Sequence, residues 1–242
     1  MKYYLVILIM LVGCGGSNIR KKQAALTGYK QAALEVREYQ EKHDVNELHK
    51  ALNSIDQSLA HYETSNALAL KGTILLQLEQ TASATPIFER IAHDKTISKA
   101  KQADAQNNWA TALYQLGSFE KAKILWQELA HNPHYISPEL AYYNLGYAEL
   151  NEAYQTAYRD RSNQNAITRH LEQALEYFKQ AIAISHEFID ALFYMGRTLI
   201  ALNRFVEARE TILSILTINP DHHPAQTLLN ALEERLTQGN RT

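Results

Sequence analysis

Cysteine is nearly absent: Cys14 is the only one in 242 residues, so no intrachain disulfide can form. Five prolines and nine glycines leave few places where a helix must stop, and Ala, Leu, Glu, Gln and Lys are frequent. Neither sign of charge dominates. The formal net charge is −2 and the charges are mixed along the chain, which excludes a general basic field for nucleic acid. The apolar stretch at residues 3–12 is too short to span a bilayer comfortably. No strand pattern occurs, hence no strand–helix phosphate cradle, and no serine stands in a nucleophile elbow. The ten histidines are scattered. His131 and His134 lie three apart and His222 and His223 are adjacent, but neither pair has a third ligand in register for a metal. Glu139 with Glu149, and Asp160 with Glu172, are conceivable carboxylate pairs that read instead as charges on solvated helix faces or in the loop between them. Catalysis, a metal, a cofactor and a small-molecule substrate are therefore not expected.

What is present is helical periodicity and repetition. Residues 137–150 read SPELAYYNLGYAEL. Gly146 removes a side chain where two helices meet, and Ala174 and Ala181 are small residues available to face it. Gly72, Ala110, Gly146 and Gly196 recur at spacings of 38, 36 and 50. Each is followed by an Ala and most by a large apolar residue: Ala84 and Phe88, Ala122 and Trp126, Ala174 and Phe178, then Ala208. This pattern resembles the tetratricopeptide repeat (TPR), whose period is about 34 residues. The resemblance implies an all-α chain, a TPR superhelical solenoid of antiparallel helix pairs closed by a C-terminal capping helix. Residues 23–64 form a degenerate first pair, with no glycine at the close-approach position. Residues 65–221 hold four repeats, and 222–242 the capping helix and tail. The largest excess falls at about 151–170, with 162–165 as its turn. It reads as a lengthened hairpin or as a partner-contact protrusion. Pro86 is expected near the start of a second helix, Pro220 ends the fourth unit, and Pro224 opens the last helix.

At the amino terminus Lys2 precedes the apolar residues 3–12. Leu11-Val12-Gly13-Cys14 resembles a bacterial lipobox. The resemblance implies that 1–13 is a lipoprotein signal peptide, removed to leave an acylated Cys14. Acyl chains gain about 0.8 kcal/mol per buried CH₂, so several hold firmly. Gly15 stands where an aspartate would resemble the inner-membrane retention signal, so the outer membrane, periplasmic face, is expected. Residues 14–22 then carry the lipid and a flexible tether, with Arg20, Lys21 and Lys22 either near lipid headgroups or starting a helix.

In the TPR family the first helices line the concave groove, and repeat positions 2, 5, 9 and 12 point into it. Carried over, these positions include Asn66 and Ala69 in the first clear unit and Asp104 and Asp190 in later ones. The candidate partner-binding groove is Asn107, Thr111, Tyr114, Tyr143, Tyr147, Phe193 and Arg197. Tyrosine suits an interface anchor, having a large apolar body, a polar tip and few rotors to freeze. The other reading has Tyr143 and Tyr147 sealing the interior or leaning on the next unit. Ala69 and Asp190 occupy positions that are lysines in the carboxylate-clamping TPR proteins, so chaperone-terminus binding is not implied. Lipobox, tether and repeats together resemble the type IV pilus secretin pilotins, outer-membrane lipoproteins. That resemblance implies a protein partner, a secretin subunit. An adaptor for cell-wall hydrolases and an accessory subunit of the β-barrel assembly machine share the architecture.

Overall fold

The computed structural model describes the backbone of residues 2–239 and the side chains of residues 16–237. Among the described residues there are eleven helices and no strand. Packing divides the chain into two compact units, Met1–Ser118 and Phe119–Thr242. The division falls within the second of the four repeats read from the sequence.

The first unit holds α1 (Lys2–Lys42), α2 (Val45–His61), α3 (Ser65–Gln77), α4 (Thr81–Ala92) and α5 (Lys99–Gln115), each packed on its chain neighbour. Helix α1 runs through residues 15–22, where the sequence reading places a flexible tether. The Lys, Arg, Gln and Ala of residues 20–25 are good helix formers and no proline interrupts them. The Cys14 side chain lies outside the described residues. Among those residues no helix is long and apolar enough to cross a membrane. The first pair also has the small-residue contact that the sequence reading denied it. A Cβ on Gly28 would lie 3.0 Å from both Ser54 O and Ser58 Cβ, and the buried Ser58 hydroxyl donates to Ala25 O at 2.6 Å. Ala32, Ala51, Ile55, Ala67 and Ile74 close the core around α1 to α3. Asp44 caps α2 by accepting from Asn46 N at 3.0 Å.

The second unit holds α6 (Phe119–Ala130), α7 (Pro138–Arg159), α8 (Gln164–Ile184), α9 (Ile189–Ala201), α10 (Phe205–Ile218) and α11 (His223–Gly239). Its core has two parts. Leu150, Leu171, Ala174 and Phe178 fill the α7–α8 hairpin, while Leu199, Ile212, Ile215 and Leu232 bind α9, α10 and the capping helix α11.

The repeat glycines are sockets for large side chains, which corrects the small-on-small contact expected from Ala174 and Ala181. A Cβ on Gly146 would stand 2.8 Å from Phe178 Cε1, and one on Gly72 2.6 Å from Phe88 Cζ. Gly196 meets Ile212 Cγ1 less tightly, at 3.1 Å. Both rings are fully buried. An absent side chain leaves a hole of about ring size, and an aromatic knob fills it better than a second small residue, which would leave a void.

One turn geometry explains the repeat and its exception. Helices α3, α5 and α9 end in left-handed residues, Glu79 (φ 59), Gly117 (φ 81) and Asn203 (φ 58). Each makes the paired end-bonds of a Schellman turn, for example Gln80 N to Leu75 O at 2.8 Å with Glu79 N to Leu76 O at 3.1 Å. Each stands seven residues after Gly72, Ala110 or Gly196. Seven residues after Gly146 stands Ala153, a strong helix former that is buried. The stop is missing, and α7 continues to Arg159. Helices α7 and α8 reach 22 and 21 residues, against 13 and 12 in α3 and α4. The excess at 151–170 is thus a lengthened hairpin. Its turn falls at 160–163, two residues earlier than expected, where Asp160 accepts from the Ser162 amide and hydroxyl.

Glu79 carries a cost here that Gly117 does not, since a side chain in the left-handed region costs about 1–2 kcal/mol. Its side chain is exposed. Glu79→Gly is expected to raise stability by about 0.5–1 kcal/mol once the greater freedom of the unfolded glycine is subtracted. A thermal melt that moves downward would contradict this.

Pro86 lies inside α4, not at its start as the sequence suggests. Ala84, Phe88 and Ile91 are all buried. Their burial holds the helix through the proline, despite the amide donor it lacks. Pro220 and Pro224 stand where expected, just beyond the end of α10 and at the second residue of α11.

Candidate functional site

In the first unit Asn107, Thr111 and Tyr114 share α5 at the four- and three-residue steps that place them along one face, all half-buried. The Thr111 hydroxyl donates to Asn107 O at 3.0 Å, bonding back to its own helix. A cleft lies among α3, α4 and α5, and none of Asn107, Thr111 and Tyr114 lines it. Asn66 and Ala69 of α3 and Lys101, Asp104 and Asn108 of α5 border about 200 Å³. Lys101 Nζ donates to Asn66 Oδ1 across it at 3.0 Å, and burial pushes the Asp104 carboxyl above its ordinary value.

In the second unit α7 and α9 bring four of the candidates together: Tyr143, Tyr147, Phe193 and Arg197. The residue that joins them is Tyr194. Its ring is 6.0 Å from Tyr143, 5.1 Å and edge-on to Tyr147, and 5.6 Å from Phe193. The Arg197 guanidinium lies 5.5 Å from the same ring. Tyr194 escapes the groove positions because it sits two residues before Gly196. The available signal was the Phe-Tyr pair at 193–194 opposite the Tyr pair at 142–143.

Tyr143 and Tyr147 differ in role. Tyr143 also touches Phe178 at 6.2 Å and Phe188 at 5.2 Å, so it seals α7 against α8 and α9. Burial, then the neighbouring Tyr194 and Asp190, hold its phenol neutral well above the ordinary tyrosine range. Tyr147 has ring contacts only to Tyr143 and Tyr194 among the described residues and stays half-exposed. The patch is stacked and partly open to solvent, with Arg197 beside it.

The polar side chains singled out in the sequence fall elsewhere. His131 Nδ1 lies 3.0 Å from Gln127 O, and His222 Nδ1 accepts from Ala225 N at 3.1 Å at the start of α11. Among the described residues no three His, Cys, Asp or Glu side chains are grouped to hold a metal. Glu172 faces Arg204 at 3.6 Å. Glu149 is the clear departure. It is buried, not on a solvated face, and binds Lys123 of α6 at 3.3 Å and His170 of α8 at 2.7 Å. The lengthened α8 supplies His170, which is why the sequence pattern of a minimal repeat hides the contact.

Residues 169–232 match the family described as Tetratricopeptide repeat, a span running from α8 into α11. No curated protein matches the sequence. Among solved structures, the chain resembles Pseudomonas aeruginosa PilF with a TM-score of 0.63 at 15% identity, covering 91% of this chain and 87% of that one. It resembles YrrB, a TPR protein with an unusual peptide-binding site, with a TM-score of 0.50 at 20% identity, covering 86% and 94%. It resembles MamA with a TM-score of 0.54 at 14% identity, covering 82% and 93%. At such identities the likeness is one of fold, and the fold is that of the tetratricopeptide-repeat proteins.

Proposed function

We propose that this chain is a lipid-anchored, non-catalytic scaffold at the periplasmic face of the outer membrane. We propose further that it binds a segment of a secretin subunit, as a pilotin of type IV pilus biogenesis. The observation that carries the binding role is the half-exposed aromatic patch of Tyr143, Tyr147, Phe193 and Tyr194 on the first helices α7 and α9, with Arg197 beside it. Two things support the pilotin reading: the lipobox ending at Cys14, and a fold similar over most of its length to that of PilF. The mechanism follows from confinement. A lipid at Cys14 holds the scaffold on the surface where the subunit must assemble, and shared confinement raises effective concentration without new contacts.

The test is a pull-down from outer membranes, made with the full chain, Cys14→Ser and Tyr147→Ala. The secretin subunit is expected with the full chain. Cys14→Ser is expected in the soluble periplasmic fraction with an unchanged helical spectrum. Tyr147→Ala is expected at the membrane, folded, with its partner reduced by roughly tenfold, the loss typical of an interface anchor. Recovery of cell-wall hydrolases or barrel-assembly subunits in place of secretin would replace the pilotin assignment. Partner capture unchanged in Tyr147→Ala would remove the patch from the binding role.

A further inference from the structure

Beside the aromatic patch lies a second feature. A cleft of about 230 Å³ is bordered by Tyr154 of α7, Arg197 and Ile200 of α9, Asn203 in the turn, and Leu228 and Arg235 of α11. Its two guanidiniums are both held by groups that leave their charge unneutralised. Arg197 stacks between aromatic faces, 5.8 Å from the Tyr154 ring and 5.5 Å from Tyr194. Arg235 lies 4.7 Å over Phe205 and donates to Asn203 Oδ1 at 3.3 Å. Among the described residues neither forms an ion pair. Nearby arginines do: Arg204 with Glu172 and Glu207, and Arg209 with Glu233.

We infer that this cleft binds a carboxylate side chain of the partner, an Asp or Glu within an extended acidic and apolar segment. Cation–π stacking orients a guanidinium while its in-plane N–H donors stay available. Those donors match the two oxygens of a carboxylate. Ile200 and Leu228 give apolar walls for the stem of the side chain. Arg197 belongs both to the cleft and to the patch, so one segment reaches from Tyr147 into the cleft. The cleft also gives the lengthened hairpin a purpose. Tyr154 stands one residue past the missing stop at Ala153, so a minimal repeat has no residue at this wall. The inference rests on the patch reading above.

The test begins with random dodecapeptides displayed with both ends blocked and selected on the full chain. A selected peptide is then compared with its Asn and Gln analogue by fluorescence anisotropy. Selected peptides are expected to carry an acid beside apolar residues, and the amide analogue to bind roughly tenfold or more weakly, as for loss of a charge-assisted hydrogen bond. In Arg197→Gln and Arg235→Gln the acid-to-amide affinity ratio is expected to fall toward one, with the helical spectrum retained. The ratio, unlike absolute affinity, does not move if a variant is merely less stable. Selection without acid preference, or a ratio unchanged in both variants, overturns the carboxylate site. A requirement for a free peptide carboxy terminus overturns the assignment to a side chain. If the acid peptide binds Tyr147→Ala as tightly as the parent chain, the patch reading fails while the cleft stands.

Discussion

Phe178→Ala is expected to destabilise the second unit by about 3–5 kcal/mol, the range for removing a fully buried aromatic ring. Gly146→Ala is expected to cost up to about 2 kcal/mol, and the two together less than their sum. Ordinarily an alanine gains roughly 1 kcal/mol over glycine inside a helix. Here the added methyl would stand 2.8 Å from Phe178 Cε1, and the ring, fully buried, has nowhere to retreat. Overpacking of this kind costs roughly 1–3 kcal/mol, which exceeds the propensity gain. With Phe178 already shortened, the same methyl enters the cavity and recovers part of its lining. Gly196→Ala is the internal control. Its nearest contact is Ile212 Cγ1 at 3.1 Å, looser than the 2.8 Å at Gly146, so the steric cost is smaller and the propensity gain offsets more of it. Denaturant midpoints for the three single variants and the double variant decide this. Equal losses at Gly146 and Gly196, or strict additivity with Phe178→Ala, would show that the glycine is not a socket for the ring.

These same residues mark how far the sequence could be read. Gly72, Gly146 and Gly196 announced the repeat because a missing side chain at one helical position cannot be disguised by composition. What filled each socket was not legible, since Ala174 and Phe178 lie on the same helix and only packing chooses between them. The lengthened hairpin was legible from spacing. Its cause was local, a helix-forming Ala153 in place of a left-handed stop, and Gly117 alone displayed that stop openly because Glu79 and Asn203 adopt it against or without a strong preference. Gly28 was passed over because its partner is Ser58, thirty residues on and outside the repeat period. Within the candidate site, Tyr143, Tyr147, Phe193 and Arg197 followed from register. Arg235 did not, since it comes from the capping helix, which has no groove positions to read. Glu149 was misassigned for a related reason. Helical register tells which way a side chain points, but not that two neighbouring helices bring a lysine and a histidine to meet it.

Glu149→Gln is accordingly expected to cost about 3 kcal/mol, the low end of the range for breaking a buried ion pair. The side chains of Lys123, Glu149 and His170 are 17%, 12% and 20% exposed, so water does little to replace a lost partner. The cost is at the low end because Lys123 keeps Glu120 at 3.1 Å, an acid that is itself 80% exposed. Replacing Lys123 with methionine as well is expected to recover part of the loss, since no partly buried ammonium is then left without its carboxylate partner. The pH dependence separates this from a simple packing defect. Burial alone would lower the Lys123 ammonium, but hydrogen bonds and charge from Glu120 and Glu149 outweigh it, and its folded value lies above the ordinary one. A raised folded value means that the stabilisation is complete below the unfolded lysine value of about 10.4 and is lost as pH climbs through the folded value. The gap between the parent chain and Glu149→Gln should therefore hold from neutral pH to about pH 10 and close above it. A gap of less than about 0.5 kcal/mol at neutral pH would place the pair with ordinary surface salt bridges. The consequence reaches the proposed binding patch. Glu149 ties α6 and α8 to α7 two residues beyond Tyr147, so loosening it frees the helix that presents that ring, and Glu149→Gln should weaken partner binding without touching any residue that meets the partner.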